Sequence, residues 1–147
     1  MKKTLPLALL LSIAAITLTG CGKRINYDLP ADPISFNTTD FTNPANKEDT
    51  YRSIELNGRT YLPYGTVKTS INGDDIGKCI GYIVQDGTEM KDVRVFLLSQ
   101  DSDTNYLAEI EIKGEMSQPT FWRATDTAGK SISTPDYIES LEYDYWK

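Results

Sequence analysis

The sequence predicts a mainly β protein: a small antiparallel barrel or sandwich with at most one short helix, preceded by a signal helix and a flexible tether. An α+β arrangement is the alternative. Three observations carry this reading. From Tyr51 onward apolar and polar residues alternate with a period of two, the signature of half-buried strands. Asn57-Gly58 and Asp86-Gly87 each stand between two such runs, where a tight hairpin turn needs positive φ. Ahead of them, an apolar N-terminal run gives way to a stretch rich in Pro, Asn, Asp and Thr that has no sustained period.

The elements follow in order. "SIELNGRTYLP" is the clearest hairpin, and a two-residue turn there places Leu56 opposite Arg59 and Ile54 opposite Tyr61. "KCIGYIVQDGTEMKDVRVFLLS" gives a second, with Ile80, Tyr82 and Val84 on one face, and Val93, Val95 and Leu97 on one face of the returning strand. In "NYLAEIEIKG", Ala108, Ile110 and Ile112 alternate with Glu109 and Glu111, and "PTFWRA" reads as a further strand. The tail "STPDYIESLEYDYWK" is ambiguous. Thr134 and Pro135 suit a helix start, whereas Leu141, Tyr143 and Tyr145 alternate as in a strand, so one helical turn followed by a last strand is expected. The sum is about six to eight strands in residues 51–147.

The chain begins with Lys2 and Lys3, and Leu5 to Leu18 is almost wholly apolar. This is shorter than the roughly 20 residues of a membrane span and has the form of a secretory signal. It ends in Leu18-Thr19-Gly20-Cys21, which resembles the bacterial lipobox at all four positions. The resemblance implies a bacterial lipoprotein: residues 1–20 are removed, and Cys21 carries a diacylglyceryl thioether, its sulfur being the side chain able to attack an activated lipid carbon near neutral pH. Two acyl chains (palmitate or similar) anchor stably where one would not. The expected address is the extracytoplasmic face of the cell membrane, with the bilayer as the first partner. Residues 54–125, with "NGRTYLPYG" and "GKCIGYI", are similar to small lipoproteins of Gram-positive gut bacteria that have no assigned function. The first hairpin alone also resembles that of amine-oxidase N-terminal-like surface domains, and no function is carried over from it.

Residues 21–50 hold Pro30, Pro33 and Pro44 among polar residues and read as a flexible stalk, spanning about 30 Å as a random coil. The alternative is that Ile34, Phe36 and Phe41 dock as an edge strand. Loss of Lys2 and Lys3 takes the formal charge from −6 to −8, an unsuitable balance for nucleic acid or for electrostatic adhesion to anionic lipid. Cys79 is then the one remaining thiol, so no internal disulfide forms. The chain has no histidine, which removes the commonest general base and transition-metal ligand.

Each candidate for chemistry has a plainer reading. Cys79 alternates with Gly81 and Ile83 and suits a buried small hydrophobe better than a reactive thiol. Asp101, Asp103 and Asn105 open like a calcium loop, but Tyr106 and Ile112 stand where an EF-hand needs Gly and Glu, so an acidic turn is the better reading. Asp74 and Asp75 beside Asn72-Gly73 likewise read as a turn. Glu109, Glu111 and Glu115 could supply a carboxylate pair for glycoside hydrolysis, yet nothing selects one. No phosphate loop, serine nucleophile motif or metal constellation is present, and no cofactor or enzymatic activity is expected. The aromatic density of the second half is more suggestive. Tyr106, Trp122, Tyr143, Tyr145 and Trp146 are the candidate binding residues, because aromatics with a polar handle favour binding surfaces. The expected role is a lipid-anchored module binding a protein or a glycan. The alternatives are a tethered inhibitor or immunity protein of a basic enzyme, and a small carboxylate-dependent hydrolase.

Overall fold

The computed structural model describes residues 22–114 and 118–147. The expected signal segment, the expected lipid attachment at Cys21, and Glu115 lie outside the described residues. The two predicted hairpins form as expected. Strand β3 (Thr50–Leu56) returns as β4 (Arg59–Val67) with Leu56 against Arg59 and Ile54 against Tyr61. The turn residues Asn57 and Gly58 have φ of 51° and 75°, as its two-residue geometry demands. Strand β5 (Ile76–Gln85) turns through Asp86 and Gly87, at φ 50° and 76°, into β6 (Thr88–Leu98). Strands β7 (Tyr106–Glu111) and β8 (Thr120–Ala124) complete the run.

Two short strands come from the stretch expected to be a tether. Strand β1 (Ile34–Asn37) runs parallel to β5, and β2 (Thr39–Thr42) runs antiparallel to β3. The sheet order is β1-β5-β6-β7-β8-β4-β3-β2, so a single extended stretch, residues 34–42, pairs with both of its ends. The result is a mainly β, strongly curled half-barrel. Gly81 makes the parallel pairing feasible, since a Cβ there would run into the carbonyl of Ile34.

The curl gives the sheet two apolar faces. On the concave side Phe36, Ile54, Leu56, Tyr61, Ile83, Val93, Val95, Leu107 and Trp122 meet across the barrel. On the convex side Tyr64, Ile76, Cys79, Phe96, Leu98, Tyr106, Ala108, Ile110 and Phe121 form a second cluster. A bare apolar convex face would be costly in water, and the segments on either side of the strands cover it. Ile25 and Leu29 pack there from the N-terminal side, and Ile132, Tyr137, Ile138 and Trp146 from the C-terminal side. Tyr27 lies edge-on to Phe96 with ring centroids 6.0 Å apart.

Three expectations are therefore corrected. The described part of the tether, residues 22–50, belongs to the domain. Its composition argues for disorder in isolation, but Ile25, Tyr27 and Leu29 alternate along an extended segment and find an apolar face to rest on. The tail reverses the expected order: strand β9 (Ile138–Ser140) pairs with β4 first, and a single 3-10 turn (Asp144–Trp146) follows. Glu142, at φ 51°, breaks the alternation from Leu141 onward, and Leu141 is exposed. The shared face of Ile80, Tyr82 and Val84 is also interrupted. Pairing passes from Cys79–Phe96 to Gly81–Val95, so Ile80 is an extra residue at a bulge. Cys79 then joins the convex cluster and Ile83 the concave one.

Because Phe36 is 1% exposed and sits on the stretch that joins the two sheet ends, Phe36→Ala is expected to cost about 3–5 kcal/mol in urea unfolding. Ile34→Ala, at an exposed position of the same strand, is expected to cost under about 1 kcal/mol.

Candidate functional site

The "NGR" hairpin and the calcium-like loop meet in space. Arg59 Nη1 donates to the carbonyls of Asp103 and Thr104 at 2.8 and 2.9 Å, and Nη2 to Asn105 Oδ1 at 3.1 Å. Its Nε and Nη2 form a fork on the Asp126 carboxylate at 2.9 and 2.8 Å. Tyr61 adds its hydroxyl to Thr104 O at 2.7 Å. The loop thus gathers oxygens around a cation, and the cation is the chain's own guanidinium. Asp101 caps the loop by accepting the Tyr106 N–H at 2.7 Å. The bond to Asp126 holds the Arg59 guanidinium above its ordinary range, and reciprocally holds the Asp126 carboxyl below its own. Among the described residues, no group of three or more His, Cys, Asp or Glu is placed to hold a metal.

Next to this loop lies a cleft of about 600 Å³. Asp75, Asp101, Asp103 and Asp136 line it together with Tyr106, Ile132, Pro135 and Tyr137, and no Lys or Arg is among its lining residues. Tyr106 forms part of the wall through a hydroxyl held 2.8 Å from Thr134 Oγ1. Burial pushes the Tyr137 hydroxyl up to about 12, and the negative fields of Asp75 and Asp101 act in the same direction. The cleft is a negatively charged concavity with an aromatic and aliphatic wall.

The candidate aromatics separate into two groups. Tyr106 and Trp122 are 1% and 0% exposed; they fill the core and offer no ring face to a ligand. Strand alternation in "TFWRA" places Phe121 on one side and Trp122 on the other, and both sides are covered. The Trp122 indole N–H is buried with no hydrogen-bond partner, and the Arg52 guanidinium lies 4.9 Å from its ring centroid. Tyr143, Tyr145 and Trp146 do come together, joined by Phe41 and Tyr51. Tyr145 stands edge-on to Trp146 at 4.7 Å and to Phe41 at 5.4 Å, and Tyr51 to Tyr143 at 5.7 Å. Trp146 Nε1 donates to Pro63 O at 2.8 Å, and the Arg123 guanidinium lies 5.2 and 5.0 Å from the centroids of the Tyr64 and Trp146 rings, which meet edge-on. This cluster fastens the tail to the sheet.

Arg52 Nη2 also donates to both carboxylate oxygens of Glu109, at 3.0 and 2.9 Å. Glu109 is therefore engaged as an ion-pair partner. Cys79 is 4% exposed and faces the convex cluster, where burial raises its thiol above the ordinary range. Sequence reasoning identified the residues of the acidic turns but not the cleft, because Ile132, Pro135 and Tyr137 reach it from the other end of the chain. Comparison with protein-family models, described proteins and solved structures finds no match for this chain.

Arg59→Lys is expected to destabilise the domain by about 1–3 kcal/mol, because one ammonium cannot serve the carbonyls and the carboxylate together. The lowered Asp126 value means that the unfolded chain binds more protons in acid. The contribution is full above its ordinary 3.8 and drains away as pH falls through the lowered value. Asp126→Asn should flatten that part of a stability–pH profile measured by urea unfolding. At the alkaline end the sign reverses. Tyr137 supplies stability below its ordinary 10.0 that is lost as pH rises through about 12, and Tyr137→Phe should remove the last tyrosine ionisation seen at 295 nm.

Proposed function

We propose that the protein is a lipid-anchored, non-enzymatic binding module on the extracytoplasmic face of the cell membrane, and that it holds a protein partner by a cationic group seated in the acidic cleft. Anchoring rests on Leu18-Thr19-Gly20-Cys21 behind a short apolar run, the arrangement that lipid transfer to a cysteine requires. Binding rests on one observation: a cleft of about 600 Å³ whose charged lining residues are all carboxylates. A Lys or Arg side chain of the partner fits both features of that lining. Its head meets the carboxylates and its alkyl stem meets Ile132, Pro135 and the Tyr137 ring. An inhibitor or immunity protein directed at a basic enzyme is one form of this role.

Aromatic stacking on sugar rings has less support, since Tyr143 packs edge-on to Tyr51, and Tyr145 to Trp146, which commits these rings to holding the tail. Hydrolysis by Glu109 is disfavoured by its ion pair with Arg52. Among the described residues no helix is long and apolar enough to cross a membrane.

Mass spectrometry of the protein purified from its own membrane is expected to show a chain starting at residue 21 with a diacylglyceryl adduct. Detergent-solubilised protein used as bait is expected to retain a basic protein that is released by salt. Asp103→Asn with Asp136→Asn should weaken that retention by about tenfold, while retention on glycans or turnover without a partner would overturn the reading.

A further inference from the structure

We propose that residues 22–24 and the loop 68–75 form a membrane-contacting face, so that the domain stands directly on the bilayer in one orientation. This rests on acylation of Cys21, as argued above, and changes its consequence: the anchor acts as a foot and not as a leash.

The chain is fixed to the body from its first described residue. Gly22 packs against Asn72, where a Cβ on residue 22 would come within 2.6 Å of Nδ2. The Gly73 N–H donates to Lys23 O at 2.6 Å, and Gly73 is so close to Arg24 that a Cβ would strike its carbonyl. Beyond these contacts Ile25 and Leu29 lie on the convex cluster, and Arg94 donates to the carbonyl of Tyr27. No slack remains for a stalk. Consecutive Cα atoms are about 3.8 Å apart, so a lipid on residue 21 has its glycerol within a side chain's length of Gly22 and therefore of the 68–75 loop.

The charge of this face suits a bilayer. Lys23, Arg24 and Lys68 are exposed here, against Asp74 and Asp75. Three cations stand here against two carboxylates, although the whole chain carries a formal charge of −6. Lys23 and Arg24, next to the proposed anchor, are placed to meet anionic headgroups. The opposite end of the molecule is also defined. Strand β5 leaves the loop at Ile76 and reaches the Asp86-Gly87 turn after ten residues, a rise of roughly 30 Å.

The test places a fluorophore on a cysteine introduced by Ser70→Cys, or by Thr88→Cys, in the acylated full-length protein. Each labelled protein is reconstituted in phosphatidylcholine–phosphatidylglycerol vesicles that carry a headgroup acceptor dye. Energy transfer is expected to be several-fold more efficient from residue 70 than from residue 88. Inserting about twelve Gly and Ser residues between Gly22 and Lys23 should bring the two efficiencies together, since such a linker behaves as a coil. Equal efficiencies without the insertion, in protein that floats with the vesicles, would overturn the fixed orientation and leave acylation standing. Protein that does not float with the vesicles would overturn acylation, and the orientation with it.

Discussion

A sheet with apolar side chains on both faces cannot be left open on either, and this constraint organises the whole molecule. Along β6, Val95 faces inward and Phe96 outward; along β7, Leu107 faces inward while Tyr106, Ala108 and Ile110 face outward; along β8, Trp122 and Phe121 divide in the same way. Curling the sheet buries the concave set against itself. The convex set has no second sheet to meet, so the flanking segments are drawn onto it. The N-terminal stretch supplies Ile25 and Leu29, and the C-terminal stretch supplies Ile132, Tyr137, Ile138 and Trp146. Irregular chain does the work that a second layer does in a sandwich.

The same constraint governs the charges. Side chains that leave a strand near its ends become partners for loop backbone. Arg59, one residue beyond the hairpin turn, satisfies two carbonyls, one amide oxygen and the Asp126 carboxylate. Arg52 covers Trp122 while paired with Glu109, and Arg123 lies against both Tyr64 and Trp146. With these three arginines committed, Asp103 and Asp136 of the cleft stay exposed to solvent, without an ion-pair partner among the described residues, while Asp75 and Asp101 accept backbone N–H bonds.

The proposed anchor and cleft are physically linked. Asn72 touches Gly22, and its N–H donates to the Asp75 carboxylate at 3.0 Å, while Asp75 lines the cleft. A partner engaging the cleft would therefore approach close to the membrane plane, and the geometry of binding would be set by how the foot is planted.

How much of this was legible in advance depends on the range of the interaction. Asn57-Gly58 and Asp86-Gly87 dictate their hairpins because the φ values they adopt are local properties of those residues, and register then follows from pairing. Period-two alternation likewise gave β7 and β8, since a strand's faces are set by its own backbone. Docking of Phe36 and Phe41 was legible only as an alternative, and the fate of Ile25 and Leu29 was not legible. Short apolar residues among prolines are ordered only by a surface built from β3, β5 and β6, distant in the chain. Trp122 and Tyr106 were visible as aromatics, but burial is a property of what covers them. The sequence by itself determined strands β3 to β8 and their hairpin turns, each a matter of local stereochemistry. Tertiary structure alone decided that the tether is part of the domain, that Arg59 fills the acidic loop, and that four aspartates from three segments face one cleft, because each requires contacts between residues far apart along the chain.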